Sequence, residues 1–369
     1  MADPLEIFLV VAPGLEPLLA DEARAAGFDV AGTLSGGVTL RGGWAEVRRA
    51  NLVLRGATRV LVRLAGFRAL HLAQLDKRAR KLPWAQWLRA DVPVRVEATC
   101  RKSSIYHAGA AAQRVERAIA ETLGAPLSRD AAVVLKVRIE DDLCTISADT
   151  SGASLHKRGL KQAVGKAPMR ETLAALFLRA CGYRGDETVF DPMCGSGTFV
   201  IEAAEIAARL APGRARGFAF EHLATHDADA FTALRDNPDP DLPERVFHGA
   251  DRDAGAVRAS RANADRAGVA ALTRFETLPI SEATPPPGPP GLVIVNPPYG
   301  GRIGNRRPLF ALYGAFGQVM RDRFRGWRIG LVTSEPSLAR ASGLPFGDPG
   351  PHVDHGGTKI RLWQTGPLA

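Results

Sequence analysis

Two short runs in this 369-residue chain bring together residue types that can do chemistry. The first is Asn296-Pro297-Pro298-Tyr299-Gly300, directly behind the apolar run Leu292-Val293-Ile294-Val295. An aromatic amine is a poor nucleophile, because its lone pair is delocalised into the ring. Two acceptors that hold its two N–H bonds can aim that lone pair at an electrophile. Asn296 offers a side-chain carbonyl and Pro297 a backbone carbonyl; proline also fixes φ and cannot donate. Tyr299 offers a ring on which an extruded base can stack, worth about 1–3 kcal/mol. The chemistry is positioning and preorganised dipoles, and it needs no strong general base. A plain Pro-Pro turn is the competing reading, and the buried strand ahead of it argues for the catalytic one.

The second run is Asp191-Pro192-Met193-Cys194-Gly195-Ser196-Gly197-Thr198, between a short strand and a helix. Gly195 and Gly197 let the backbone turn tightly, and the helix start offers free N–H groups. The third glycine of a dinucleotide fingerprint is missing, and no Gly-Lys-Ser/Thr of a phosphate loop follows. An acid just ahead of the glycines suits a ligand carrying an ammonium group, namely the amino-acid part of S-adenosylmethionine. The next strand ends Gly249-Ala250-Asp251-Arg252-Asp253. Asp251 is the candidate for a ribose diol, and Asp253 the candidate helix cap. Cys194 has no base beside it and reads as a small packing residue.

The elements that must position these runs alternate along residues 160–369. Strands are expected at Val189–Phe190, Val246–Ala250, Arg274–Thr277, Leu292–Val295 and Arg328–Thr333. Helices are expected at Arg170–Cys181, Thr198–Leu210, Ala254–Ala267 and Leu309–Phe324. That alternation predicts a Rossmann-like, doubly wound α/β sheet with its ligand at the C-terminal strand ends. Lys359–Gln364 is expected to close the sheet as an edge strand. Residues 1–152 read as small α+β structure: strands at Glu6–Val11, Val38–Arg41, Thr58–Leu64, Val92–Ala98, Ala132–Glu140 and Leu143–Asp149. Helices are expected at Leu15–Ala26, Gly43–Arg55 and Ala110–Leu123.

Charge divides the chain in the same place. Residues 1–166 hold 25 Lys+Arg against 17 Asp+Glu, and residues 167–369 hold 23 against 22. A basic module beside a near-neutral one suits a polyanion, although a solvated basic surface gives the same numbers. The four cysteines form no Cys-x-x-Cys pair, so neither zinc nor a disulfide framework is expected and a reducing cytoplasm fits. No apolar run reaches the roughly 18 residues of a membrane helix, and Met1-Ala2-Asp3-Pro4 does not open a secretory signal.

Together the two runs resemble class I amino-group methyltransferases. The joints Ser151-Gly152-Ala153-Ser154-Leu155-His156-Lys157-Arg158-Gly159 and Ala167-Pro168-Met169-Arg170-Glu171-Thr172-Leu173 extend the likeness. With them, nearly the whole chain resembles the THUMP-domain RNA guanine-N2 methyltransferases that act on large-subunit ribosomal RNA. The resemblance implies a ferredoxin-like piece over residues 1–65, an RNA-binding THUMP domain over 66–152 and a class I methyltransferase domain over 160–369. It implies S-adenosylmethionine as cofactor without a metal, and a helix from Arg170 with Thr172 near that cofactor. Enterobacterial members continue into a second methyltransferase domain; here the expectation is that another protein supplies the second activity. The family's adenine-reading acid falls on Pro279, so Glu276, Glu282 or backbone groups are the candidates for that contact.

Arg101, Lys102 and Tyr106 in one polar loop, Lys157 and Arg158 at the joint, and Arg302 after Tyr299 are candidate RNA contacts. A plain surface loop and a solvated linker, Lys161 included, are the alternatives. DNA adenine N6, a protein glutamine amide, a transfer-RNA guanine and a catalytically dead RNA binder remain open as functions. Oligomeric state is open too.

Overall fold

The computed structural model describes residues 4–161, 169–236, 243–299 and 307–369. The chain divides into two compact units. The first comprises Met1–Val11, Ala20–Leu155 and Arg216–Asn237; the second comprises Ala12–Leu19, His156–Ala215 and Pro238–Ala369.

The first unit is built on one sheet of seven strands: β1 (Leu5–Val10), β2 (Asp29–Leu34), β3 (Gly37–Gly42), β4 (Arg59–Arg68), β5 (Val94–Arg101), β6 (Val133–Glu140) and β7 (Leu143–Asp149). Their order is β2-β3-β1-β4-β7-β6-β5. The two pieces expected over residues 1–65 and 66–152 thus share a continuous ladder, and β4 is the seam. Arg59–Arg63 pair with β1, and Leu61–Arg68 pair with β7 across a bulge between Arg63 and Ala65. The expected strand stopped at Leu64; β4 runs on because its outer end finds a second partner. At the β6–β7 turn, Asp141 (φ 49°) and Asp142 (φ 62°) both take the left-handed conformation of a tight two-residue hairpin. Helices α1 (Glu16–Ala25), α2 (Trp44–Val53), α3 (Leu72–Ala79) and α4 (Ala108–Leu123) follow in chain order. His107 Nδ1 caps α4 by accepting the Ala110 N–H at 3.0 Å.

Arg216–Asn237 lies inside the span expected to belong wholly to the second half, yet it packs in the first unit. The reason is apolar burial. Phe218, Phe220 and Phe231 are each at most 4% exposed, with ring centroids 4.8–5.9 Å apart. Arg216 donates to the carbonyls of Ser151 (3.0 Å), Ala153 (2.5 Å) and Ser154 (2.9 Å).

The helix after β7 that opens the second unit is α5 (Glu171–Ala180), followed by α6 (Thr198–Ala207). Further on come α8 (Ala254–Arg266), α9 (Arg307–Arg323) and α10 (Pro336–Ala341), after the first unit's α7 (Ala228–Arg235). The second sheet holds β8 (Val189–Asp191), β9 (Phe247–Asp251), β10 (Thr273–Thr277), β11 (Leu292–Val295), β12 (Arg328–Thr333), β13 (Val353–His355) and β14 (Thr358–Gln364). Its order is β10-β9-β8-β11-β12-β14-β13, parallel through β12 and antiparallel beyond. β14, expected at the edge, is covered by β13. All four residues of β11 are fully buried, as both faces of a parallel strand must be. The order in which strands are added reverses between β8 and β11, which stay parallel, so Asp191 and Asn296 emerge on either side of the switch point, where such sheets bind ligands.

Candidate active site

The glycine loop is fixed from three sides. Gly195 (φ 55°) and Gly197 (φ 82°) are both left-handed, a conformation that a side chain would strain. An added Cβ on Gly195 meets no atom within 4 Å, so the space beside it is open. Cys194 N donates to Ala250 O at 2.9 Å. From α8, Ser260 Oγ donates to Gly195 O at 2.8 Å and Asn263 Nδ2 to Ser196 O at 3.0 Å. Sequence reading missed Ser260 and Asn263. Their signal is two polar residues, three apart, on the face of α8 that must bury Val257 and Ala264.

Asp191 is 2% exposed and accepts the Met193 N–H at 3.0 Å. Burial, with Asp251 nearby, lifts its carboxyl well above the usual carboxylate range. An ammonium group beside it would favour the charged form. Asp251 accepts from Gly195 N at 3.0 Å on one oxygen and from Asp253 N at 2.9 Å on the other. Each oxygen keeps a lone pair for a diol. Asp253 caps α8 through Gly255 N at 2.7 Å, as expected. Pro192 and Thr198 are buried in the same loop, and Thr172 is 3% exposed on α5. The Cys194 thiol is buried and pushed well up, so it holds no thiolate and serves packing.

At the other end of the switch point, Pro297 is buried and Asn296 and Tyr299 are half-buried. Asn296 Oδ1 is buried without a hydrogen-bond partner. A buried carbonyl left unpaired costs about 1–3 kcal/mol, which a ligand N–H would recover. Tyr299 packs on the cluster of Phe190, Val293, Val295, Tyr313 and Phe316. Burial raises its phenol to about 12, so it stays neutral and presents a ring rather than a base. The open glycine cradle, the buried acid and the orphaned carbonyl together fit S-adenosylmethionine and an amine acceptor. Among the described residues no cluster of three or more His, Cys, Asp or Glu is placed to hold a metal.

The adenine candidates separate. Thr277, not Glu276, pairs with Asp251, so Glu276 points to the opposite face of the sheet from Asp251. Glu282 is exposed on the turn that Pro279 opens. Leu278 N donates to Asp251 O at 3.0 Å, which brings this turn's backbone to the end of β9.

Among the RNA candidates, Arg101, Lys102 and Tyr106 stay exposed, and Tyr106 is 84% exposed. Arg101 is 3.6 Å from Glu140. Lys157 is exposed, but Arg158 is 4% exposed. Its guanidinium lies 2.6 Å from Glu202 and 3.4 Å from Glu205, so it is a structural ion pair and not a phosphate ligand. Lys161 is no solvated linker residue either: it meets Glu171 at 3.3 Å and Thr198 Oγ1 at 2.9 Å. Arg302, Gly300 and Pro168 lie outside the described residues. No described helix is long and apolar enough to cross a membrane.

Comparison with known proteins agrees with this geometry. Residues 6–61 match the RlmL ferredoxin-like domain, 71–149 the THUMP domain and 158–344 the RMKL-like methyltransferase domain. The ribosomal RNA large subunit methyltransferase K/L of Syntrophotalea carbinolica is 36% identical over 93% of this chain and 51% of its own. The chain spans about half the length of the curated relatives of that name. A provisionally named RNA methyltransferase of Synechocystis sp. is 30% identical over 91% of this chain and 90% of its own. The crystal structure of SMU.472, a methyltransferase by provisional description, was solved with S-adenosylhomocysteine; it superposes with TM-score 0.89 at 26% identity over the full length of both chains. The chain belongs to the RMKL-like methyltransferases, with RlmL-type ferredoxin-like and THUMP domains ahead of the methyltransferase domain.

Proposed function

We propose that this chain methylates the exocyclic N2 amine of a guanine in large-subunit ribosomal RNA, in the cytoplasm. One observation carries the reading: the buried, unpaired Oδ1 of Asn296 at the end of β11, beside the Pro297 carbonyl. Asn296 and Pro297 accept the two N–H bonds of the amine and turn its lone pair toward the methyl group. Tyr299 stacks against the flipped base. Asp191 takes the cofactor's ammonium group, Asp251 its ribose diol, and Gly195 and Gly197 let the backbone approach. S-adenosylmethionine supplies an electrophilic methyl group on its sulfonium. The names of the relatives and the basic, THUMP-containing first half favour ribosomal RNA over other polymers.

The test is labelled S-adenosylmethionine with in-vitro-transcribed large-subunit RNA, transfer RNA or DNA, followed by nucleoside mapping. N2-methylguanosine in the ribosomal transcript is expected. Label only in DNA, or only in transfer RNA, would reject the substrate. Asn296→Ala should abolish transfer while cofactor affinity stays within about twofold; a variant at full rate rejects the acceptor pair.

A further inference from the structure

The Asn296–Tyr299 segment offers more carbonyls than the two that an amine's N–H bonds can use. Pro297 and Pro298 have no N–H, so neither can satisfy a neighbouring carbonyl. We propose that Tyr313 is a positioning residue that pins the Pro298 carbonyl away from the target amine, leaving Asn296 and Pro297 as its acceptor pair. This rests on the reading that the segment holds the amine.

Tyr313, on α9, is 1% exposed, and its hydroxyl is 3.4 Å from Pro298 O and 3.3 Å from Thr333 Oγ1. Thr333, at the end of β12, accepts the Glu335 N–H at 3.2 Å. The Tyr313 hydroxyl has one proton and stands as donor to both oxygens, so Thr333, which already accepts the Glu335 N–H, competes with the Pro298 carbonyl for it. Burial raises the Tyr313 phenol further above its ordinary range, so the donor stays protonated at any working pH. The anchor is rigid: Thr333 is 1% exposed on a buried strand, and the Tyr313 ring sits in the cluster with Phe316 and Leu309.

The test uses the full chain with tritiated S-adenosylmethionine and in-vitro-transcribed large-subunit RNA. Tyr313→Phe should lower kcat about 3- to 10-fold, with the KM for S-adenosylmethionine unchanged because the glycine loop is untouched. Thr333→Val removes the competing acceptor and should leave kcat at or above wild type, and the double variant Tyr313→Phe/Thr333→Val should match Tyr313→Phe. A packing role alone would lower thermal stability and leave kcat of the folded protein intact. Wild-type kcat in Tyr313→Phe, or a loss in Thr333→Val as large as that in Tyr313→Phe, overturns the pin. Asn296→Ala separates the two readings. If it is inactive while Tyr313→Phe runs at full kcat, the pin alone is wrong. If it keeps full rate, the acceptor pair falls and the pin with it.

Discussion

One carboxylate oxygen of Asp251 lies 3.0 Å from the backbone nitrogen of Gly195, so the acid ending β9 braces the glycine loop that follows β8. Its other oxygen holds Asp253 N. Asp251→Ala removes both the diol acceptors and the brace. We expect S-adenosylhomocysteine to bind about 10- to 100-fold more weakly by titration calorimetry, the loss of one or two charge-assisted hydrogen bonds. Asp251→Asn should recover little, because its amide nitrogen would face one of two N–H groups. Unchanged affinity in both variants would remove Asp251 from the site.

Asp191 predicts a pH dependence. Its carboxyl is raised by burial and by Asp251, so acidification protonates it at a higher pH than an ordinary aspartate. The protonated acid cannot pair an ammonium group. Cofactor affinity should therefore fall as pH falls through this raised value, by up to about tenfold per unit well below it. Folding of the cofactor-free protein runs the opposite way. The contribution of Asp191 is full below the unfolded aspartate value near ~3.9 and is lost as pH rises through the folded one. Asp191→Asn should flatten the affinity profile; a wild-type slope in that variant would place the titrating group elsewhere.

Arg158 and Lys157 are neighbours with opposite roles. Arg158→Ala removes the cation 2.6 Å from Glu202 and 3.4 Å from Glu205, of which Glu205 keeps Arg214, and should cost about 3 kcal/mol, read as a fall in melting temperature. Lys157→Ala, on the surface, should leave stability within about 0.5 kcal/mol. It should weaken binding of the ribosomal transcript, most visibly at low salt. If the two variants melt together, the buried pair has been misjudged.

Phe220→Ala should cost the first unit about 3–5 kcal/mol in denaturant unfolding, through the lost ring contacts with Phe218 and Phe231. S-adenosylhomocysteine binding should be unaffected. For the same reason a fragment ending at Leu155 should be cut faster by protease than the same unit in the full chain. Equal protection would mean that Arg216–Asn237 adds nothing to its stability.

What was legible in the sequence follows from how local each cause is. Leu292–Val295 and the interior of Arg328–Thr333 are apolar, with turns after them, and both strands appear at the expected residues. Asp191 and Asn296 were legible because chemistry confines them to strand ends. β2 escaped notice because Asp29-Val30-Ala31-Gly32-Thr33-Leu34 has little alternation; β3 imposes the strand through its ladder. β13, three residues long, exists only as a partner for β14. Arg158 looked like linker because burial by two distant glutamates leaves no mark on the linker itself. The Tyr313–Pro298 contact joins a helix to a loop fifteen residues back, and no period or motif announces it.

The three-part first unit also sets an order of events on the ribosome. Its sheet is complete at Asp149, but Phe218, Phe220 and Phe231 arrive only after β8 and α6 have been made. At about 5–20 residues per second, that interval is on the order of ten seconds. During it the nascent sheet waits with an aromatic seat unfilled. A chain paused between residues 155 and 216 would leave exposed the surface that these three rings cover.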